Sequence, residues 1–167
     1  NLSMETIDFI TRNHSHLPIF VDTVSTAKCV KIKDILNRFE GIKLNKYEAE
    51  TLSGIKIENL DDAKKSCDYF IEKGVKSVFI TLSSDGVYCA NKEQTLHIPG
   101  VKIDIVNATG AGDAFMSGII YGFMNDLNIE ETAKFSVGAS ILALSHKNTI
   151  NPNLSEDLIN KTIKELI

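Results

Sequence analysis

The chain has 167 residues, 43% of them hydrophobic and 24% charged, with a formal net charge of -4 and a pI near 5.6. That is one globular domain by length, able to bury roughly 70% of its unfolded surface without a disulfide or metal staple. The acidic balance argues against a nucleic-acid polymer as partner, and the composition excludes the disordered, collagenous and coiled-coil classes.

Pro18 to Asp22 is a short apolar run ending in an acid, which predicts a buried parallel strand. Val30, Ile32, Ile35, Leu36 and Phe39 recur at helical spacing over Lys28 to Phe39. Gly41 to Asn45 reads as a second strand, with Asn45 capping a short helix over Lys46–Ser53 and Gly54 stopping it. Asn59 opens a helix to about Lys73, ended by Gly74. Ser77 to Leu82 is a third strand, and Gly86–Ala90 with Thr95–Pro99 a hairpin. Ile103–Val106 leads as a short strand signal into Asn107, and a helix follows from about Gly112 to Met124. Asn128 and Glu131 have capping-box spacing for a buried helix to about Ser145, and a last amphipathic helix begins near Ser155. Alternation of strands and helices predicts a three-layer α/β/α fold around a mostly parallel sheet.

Cys29, Cys67 and Cys89 are widely spaced and form no CxxC, which suits reduced thiols in the cytoplasm. The first residues do not resemble a signal peptide and no run of 18 apolar residues occurs, so no membrane partner is expected. A chain that starts at Asn1 rather than Met is expected to be part of something longer. His14 and His16 have no third ligand in view and read as solvated loop residues. Gly118 and Gly122, four apart, predict close packing of their helix against the sheet.

Ligands of open α/β sheets bind beyond the carboxyl ends of the strands. Four polar clusters fall at such ends: Asp22 to Lys28, Asn45 to Glu48, Thr81 to Gly86, and Asn107 to Asp113. In the last, Gly110, Ala111 and Gly112 leave backbone N–H groups uncovered at a helix start, where the dipole favours phosphate. Asp113 in that first turn is either a capping carboxylate or a general base. Asn45 and Glu48 are one helical turn apart, either a plain cap or hard oxygens suited to Mg²⁺ held through water. Thr81, Ser83 and Gly86 make a turn suited to phosphate or ribose. No Gly-Lys dipeptide occurs, so this is no Walker loop, and Phe115 spoils a dinucleotide fingerprint.

In order and spacing these residues resemble the ribokinase-like, or PfkB, carbohydrate kinases. Val106 to Phe115 looks like the family's C-terminal signature, Asn45-xx-Glu48 like its Mg²⁺-phosphate motif, and Thr81-Leu-Ser-x-x-Gly86 like its ATP-side turn. The resemblance implies a ribokinase-like fold, with residues 1–167 the C-terminal ATP-binding and catalytic portion; the N-terminal half and lid lie outside this chain. It implies transfer of the ATP γ-phosphate to a sugar or nucleoside. Asp113 would be the general base and the amides of Gly110, Ala111 and Gly112 the anion hole. Thr81, Ser83, Gly86, Thr109 and Val137 would stand on the nucleotide side, with Asn45 and Glu48 placing Mg²⁺ through water. Asn107 stands where many relatives carry aspartate beside a monovalent cation; Asn107 and Thr109 still offer oxygens to K⁺.

Val21-Asp-Thr-Val-Ser25 and Lys43 to Gly54, with Asn107 and Asn151 to Ser155, resemble the branch of the family that phosphorylates the 5′-hydroxyl of pseudouridine. A ribokinase, a fructokinase or a catalytically silent nucleotide-binding module are the alternatives. The family's lid often forms a dimer contact, so the resemblance implies a homodimer for the full-length protein.

Overall fold

The computed structural model describes residues 2–167. The chain divides into two compact units, Asn1–Leu82 with Tyr88–His97, and Ser83–Val87 with Ile98–Ile167.

The first unit is built on a sheet in the order β1 (Phe20–Asp22), β2 (Gly41–Asn45), β3 (Ser77–Thr81), β4 (Val87–Asn91), β5 (Thr95–Ile98), whose end residues Val87 and Ile98 fall to the second unit. β1, β2 and β3 run parallel, with Asp22 opposite Lys43 and Asn45 opposite Thr81. β4 and β5 form the expected hairpin, its turn closed by Asn91 N donating to Gln94 O at 2.9 Å. Around the sheet stand α1 (Met4–Asn13), α2 (Thr26–Cys29), a 3₁₀ segment (Val30–Arg38), α3 (Lys46–Ser53) and α4 (Leu60–Glu72).

The parallel strands follow one another in sequence order. Right-handed crossovers therefore place the helices that link them on one face. Ile42, Leu44, Val78 and Ile80 point to that face and join Leu36, Leu52, Ala63, Cys67 and Phe70 in one core. Asp22 and Lys43 pair in register and their side chains meet at 3.0 Å. At α1, Asp8 accepts from Arg38 at 2.7 Å and from Arg12 at 2.8 Å. The Arg38 guanidinium, then that of Arg12, holds the Asp8 carboxyl below the usual carboxylate range.

One expectation fails in this unit, and one element goes unforeseen. The apolar spacing over Lys28–Phe39 does not form one α-helix: α2 gives way at Val30 to a 3₁₀ segment broken at Ile35 (φ -129°, ψ 20°). Phe39 N closes that segment on Leu36 O at 3.2 Å, an i→i+3 bond. Apolar residues three or four apart serve a 3₁₀ turn as well as an α-helix. The sequence also predicts nothing for residues 4–13, where α1 forms with Ser3 as its cap.

The second unit contains α5 (Ala111–Met124), α6 (Ile129–Leu144) and α7 (Glu156–Leu166). α6 is the buried helix expected, opened by the Asn128–Glu131 capping box. Phe135, Ala139 and Ile159 form its core contact with α7, and Tyr121 of α5 stacks on Phe135 at 4.2 Å. Gly118 and Gly122 do mark close packing, but against α6 and not the sheet. A Cβ on Gly118 would lie 2.5 Å from Ser136 Cα, and one on Gly122 would strike Thr132. A spacing of four specifies a groove without specifying what fills it.

The strand expected before Asn107 is absent. Residues 101–106 have no strand partner; the amides of Val106 and Asn107 both donate to Leu144 O, at 2.9 and 3.2 Å. The end of α6 thus takes the hydrogen bonds that a neighbouring strand would have taken.

All three cysteines are buried and none is in a disulfide. Burial, then the Glu48 carboxylate, pushes the Cys29 thiol up; burial, then Cys89, raises Cys67 further. Alkylation of the native protein at pH 8, read by peptide mapping, is expected to leave Cys29, Cys67 and Cys89 unmodified. Denaturant should expose all three. Rapid native labelling of Cys29 would contradict its burial beside Glu48.

Candidate active site

The carboxyl ends of β1, β2 and β3 line one edge of the first unit, carrying Thr23, Asn45 and Thr81. Asn45 caps α3 as its sequence position predicts. Its Oδ1 accepts from Glu48 N at 3.0 Å, and Glu48 Oε2 accepts from Asn45 N at 2.8 Å. Glu48 is 1% exposed. A buried carboxylate must be hydrogen-bonded to hold its charge, and a second donor is present: Thr23 Oγ1 donates to the same Oε2 at 2.7 Å. Both bonds fall on Oε2; neither goes to Oε1. The Thr81 hydroxyl donates to Leu44 O at 3.3 Å, tying β3 to β2 beside Asn45.

Thr23 sits inside the Asp22–Lys28 cluster but has no assigned role in the sequence pattern. Its partner lies 25 residues away, so spacing cannot find it. Among the described residues no group of three His, Cys, Asp or Glu could hold a metal ion. His14 and His16 are exposed, their rings 6.2 Å apart. The Asn45–Glu48 oxygens are partly committed to the helix cap. That donor set fits Mg²⁺ reached through its own waters, since Mg²⁺ keeps several waters and dispenses with an all-protein cage.

In the second unit, Ser83–Asp85 form one 3₁₀ turn closed by Gly86 N donating to Ser83 O at 3.2 Å. Gly86 (φ 89°) is buried, and a Cβ there would stand 2.5 Å from Gly100 N. Only glycine meets both demands.

Gly110 begins α5 in the left-handed region (φ 88°) with no side-chain cap. The other α-helices of eight residues or more, α1, α3, α4, α6 and α7, each have a side chain accepting from their first turn. Here the first amides are left for something else. The turn itself is held firmly. Asn107 Oδ1 accepts from Thr109 N at 2.9 Å, and Asn107 Nδ2 donates to Lys147 O at 3.1 Å. Ser140 Oγ donates to Ala111 O at 2.8 Å. A Cβ on Gly110 would strike the Thr149 carbonyl. Asp113 is exposed one residue beyond the uncapped amides, and Val137 is half-buried on α6.

A short glycine turn and an uncapped helix start form an arrangement that can receive an anion, with the Asp113 carboxylate in the same first turn. The model of the pfkB family of carbohydrate kinases matches residues 2–156. The chain belongs to that family. Pseudouridine kinase of Escherichia coli K12 is 38% identical over 157 residues, covering 93% of this chain and 50% of that protein. The ribokinase of Staphylococcus aureus is 39% identical over 87 residues, 52% of this chain and 29% of that protein. The crystal structure of a putative sugar kinase from Clostridium perfringens superposes with a TM-score of 0.93 at 33% identity, over 99% of this chain and 53% of that one. Phosphofructokinase-2 of Escherichia coli in complex with potassium matches with a TM-score of 0.85 at 20% identity, over 99% of this chain and 53% of that one.

The ribokinase-like α/β fold expected from the sequence is therefore present in this pfkB chain. It spans about half the length of the relatives it matches. Among the described residues no helix is long and apolar enough to cross a membrane.

Proposed function

We propose that the full-length protein is a cytoplasmic pseudouridine kinase, transferring the γ-phosphate of ATP to the nucleoside 5′-hydroxyl. The observation that carries the kinase reading is the uncapped, glycine-led start of α5 with exposed Asp113 in its first turn. The nucleoside is favoured by the 38% identity to a pseudouridine kinase over 93% of the chain.

Asp113 accepts the proton of the acceptor hydroxyl, and the amides of Gly110, Ala111 and Gly112 hold charge developing on the transferred group. Thr81, Ser83, Gly86, Thr109 and Val137 contact the nucleotide. Asn45 and Glu48 orient the waters of Mg²⁺, which when bound neutralises phosphate charge. Asn107 and Thr109 would offer oxygens to K⁺, with less attraction than a carboxylate would exert. The full-length protein acts as a homodimer.

The test is ADP release by the full-length protein with Mg-ATP and pseudouridine, uridine, ribose, fructose or adenosine. Release with pseudouridine alone is expected. Release with ribose or fructose instead would replace the acceptor and keep the kinase. ATP binding with no release from any acceptor would favour a silent nucleotide-binding module.

A further inference from the structure

Thr23 is 5% exposed and sits at the end of β1, where its hydroxyl reaches the Glu48 carboxylate at 2.7 Å. Helix capping does not require this bond. The protein builds the same box at α6, where Glu131 Oε2 accepts from Asn128 N and Asn128 Oδ1 from Glu131 N, both at 3.0 Å. Glu131 is exposed and caps its helix from solvent. Glu48 performs the same local task yet is buried and clamped by a hydroxyl from another strand.

The backbone that delivers Thr23 is strained. Val24 has φ 63° and is 67% exposed. A β-branched residue is rare in that region, and an exposed valine gains no burial from being there. Ser25 N donates to Thr23 O at 2.7 Å, an i→i+2 γ-turn about Val24. Neighbouring bonds hold the turn: Val24 N to Asp22 Oδ1 at 3.3 Å and Lys43 Nζ to Asp22 Oδ2 at 3.0 Å. Strain of this kind persists where the surroundings over-determine it, and it gathers at functional sites.

We infer that Thr23 is a positioning residue for the Mg²⁺-phosphate pair. Its hydroxyl commits Glu48 Oε2 to the protein and fixes the carboxylate plane, so that Oε1 is presented to the hydrated cation in one orientation. The inference rests on the proposed assignment of Asn45 and Glu48 to Mg²⁺. Groups that orient a metal's partners commonly change metal affinity or activity about 10–100-fold when lost.

The experiment compares Thr23→Val, Thr23→Ala, Thr23→Ser and Glu48→Gln in the full-length kinase. It reads half-saturating free Mg²⁺ at fixed ATP, kcat, KM for the acceptor, and Tm. Thr23→Val is expected to raise half-saturating Mg²⁺ about tenfold with acceptor KM unchanged. Thr23→Ser, which keeps the hydroxyl, should stay within about twofold of wild type. Should Thr23→Val fail to fold, Thr23→Ala is read the same way. A lower Tm with unaltered Mg²⁺ dependence in Thr23→Val and Thr23→Ala, while Glu48→Gln shifts it, overturns the role of Thr23 and spares the metal assignment. Unaltered Mg²⁺ dependence in Glu48→Gln overturns the assignment and the inference together.

Discussion

Asp113→Asn in the full-length kinase is expected to lower kcat by about 10²–10⁴-fold while ATP affinity stays within about twofold. The substitution keeps the size and planarity of the side chain and removes its negative charge together with its capacity to take a proton. Asp113 is exposed in the first turn of α5, so its loss opens no cavity. Two outcomes separate its possible roles. A carboxylate serving only the helix dipole contributes about 0.3–1 kcal/mol to stability, and its amide would then turn over within about tenfold of wild type with a lower Tm. A general base would give the reverse: a large loss in kcat at nearly constant Tm. Single-turnover phosphoryl transfer with the proposed nucleoside, beside a titration of ATP binding, distinguishes them.

Gly118→Ala is expected to destabilise the protein by about 1–3 kcal/mol, the usual cost of overpacking a tight contact. Helix propensity alone predicts the opposite sign, since alanine is favoured over glycine by about 1 kcal/mol inside a helix. Packing wins because the added Cβ would stand 2.5 Å from Ser136 Cα, a backbone atom that moves only if α6 moves. Gly138 supplies the contrast. Its Cβ would meet Ile159 Cγ2 and Ile163 Cγ1 at 3.1 Å, side-chain atoms able to give way. Gly138→Ala should therefore be neutral or mildly stabilising. Denaturant unfolding of the two variants side by side checks the difference, and equal effects would place the α5–α6 approach elsewhere.

The parts of the fold legible in the sequence are those fixed by short-range chemistry. Asn45 with Glu48 and Asn128 with Glu131 announce helix starts because each box closes within three residues. Gly54 and Gly74 announce ends because both hold positive φ. What failed depends on partners far along the chain. Ile103–Val106 has strand-like composition, yet a strand is a property of a pair, and here the amides of Val106 and Asn107 turn to Leu144. Gly118 and Gly122 announce a groove, and only the three-dimensional arrangement supplies α6 to fill it. The candidate site divides the same way. Gly110 to Asp113 can be read from residue type and order, whereas the bond from Thr23 to Glu48 cannot, because 25 residues intervene.

The turn before α5 is strung from a single support. Leu144, Lys147 and Ser140, on α6 and just after it, bond to Val106, Asn107 and Ala111, and Thr149 crowds Gly110. Its conformational entropy is thus lost when the protein folds, so under the proposed function binding of a phosphate there would cost little further ordering. Dipoles already aimed need little reorganisation as charge builds on the transferred group. The same tethering makes α6 a lever on the turn, so a substitution that tilts α6, even one buried far from Asp113, would be felt as a change in catalytic rate.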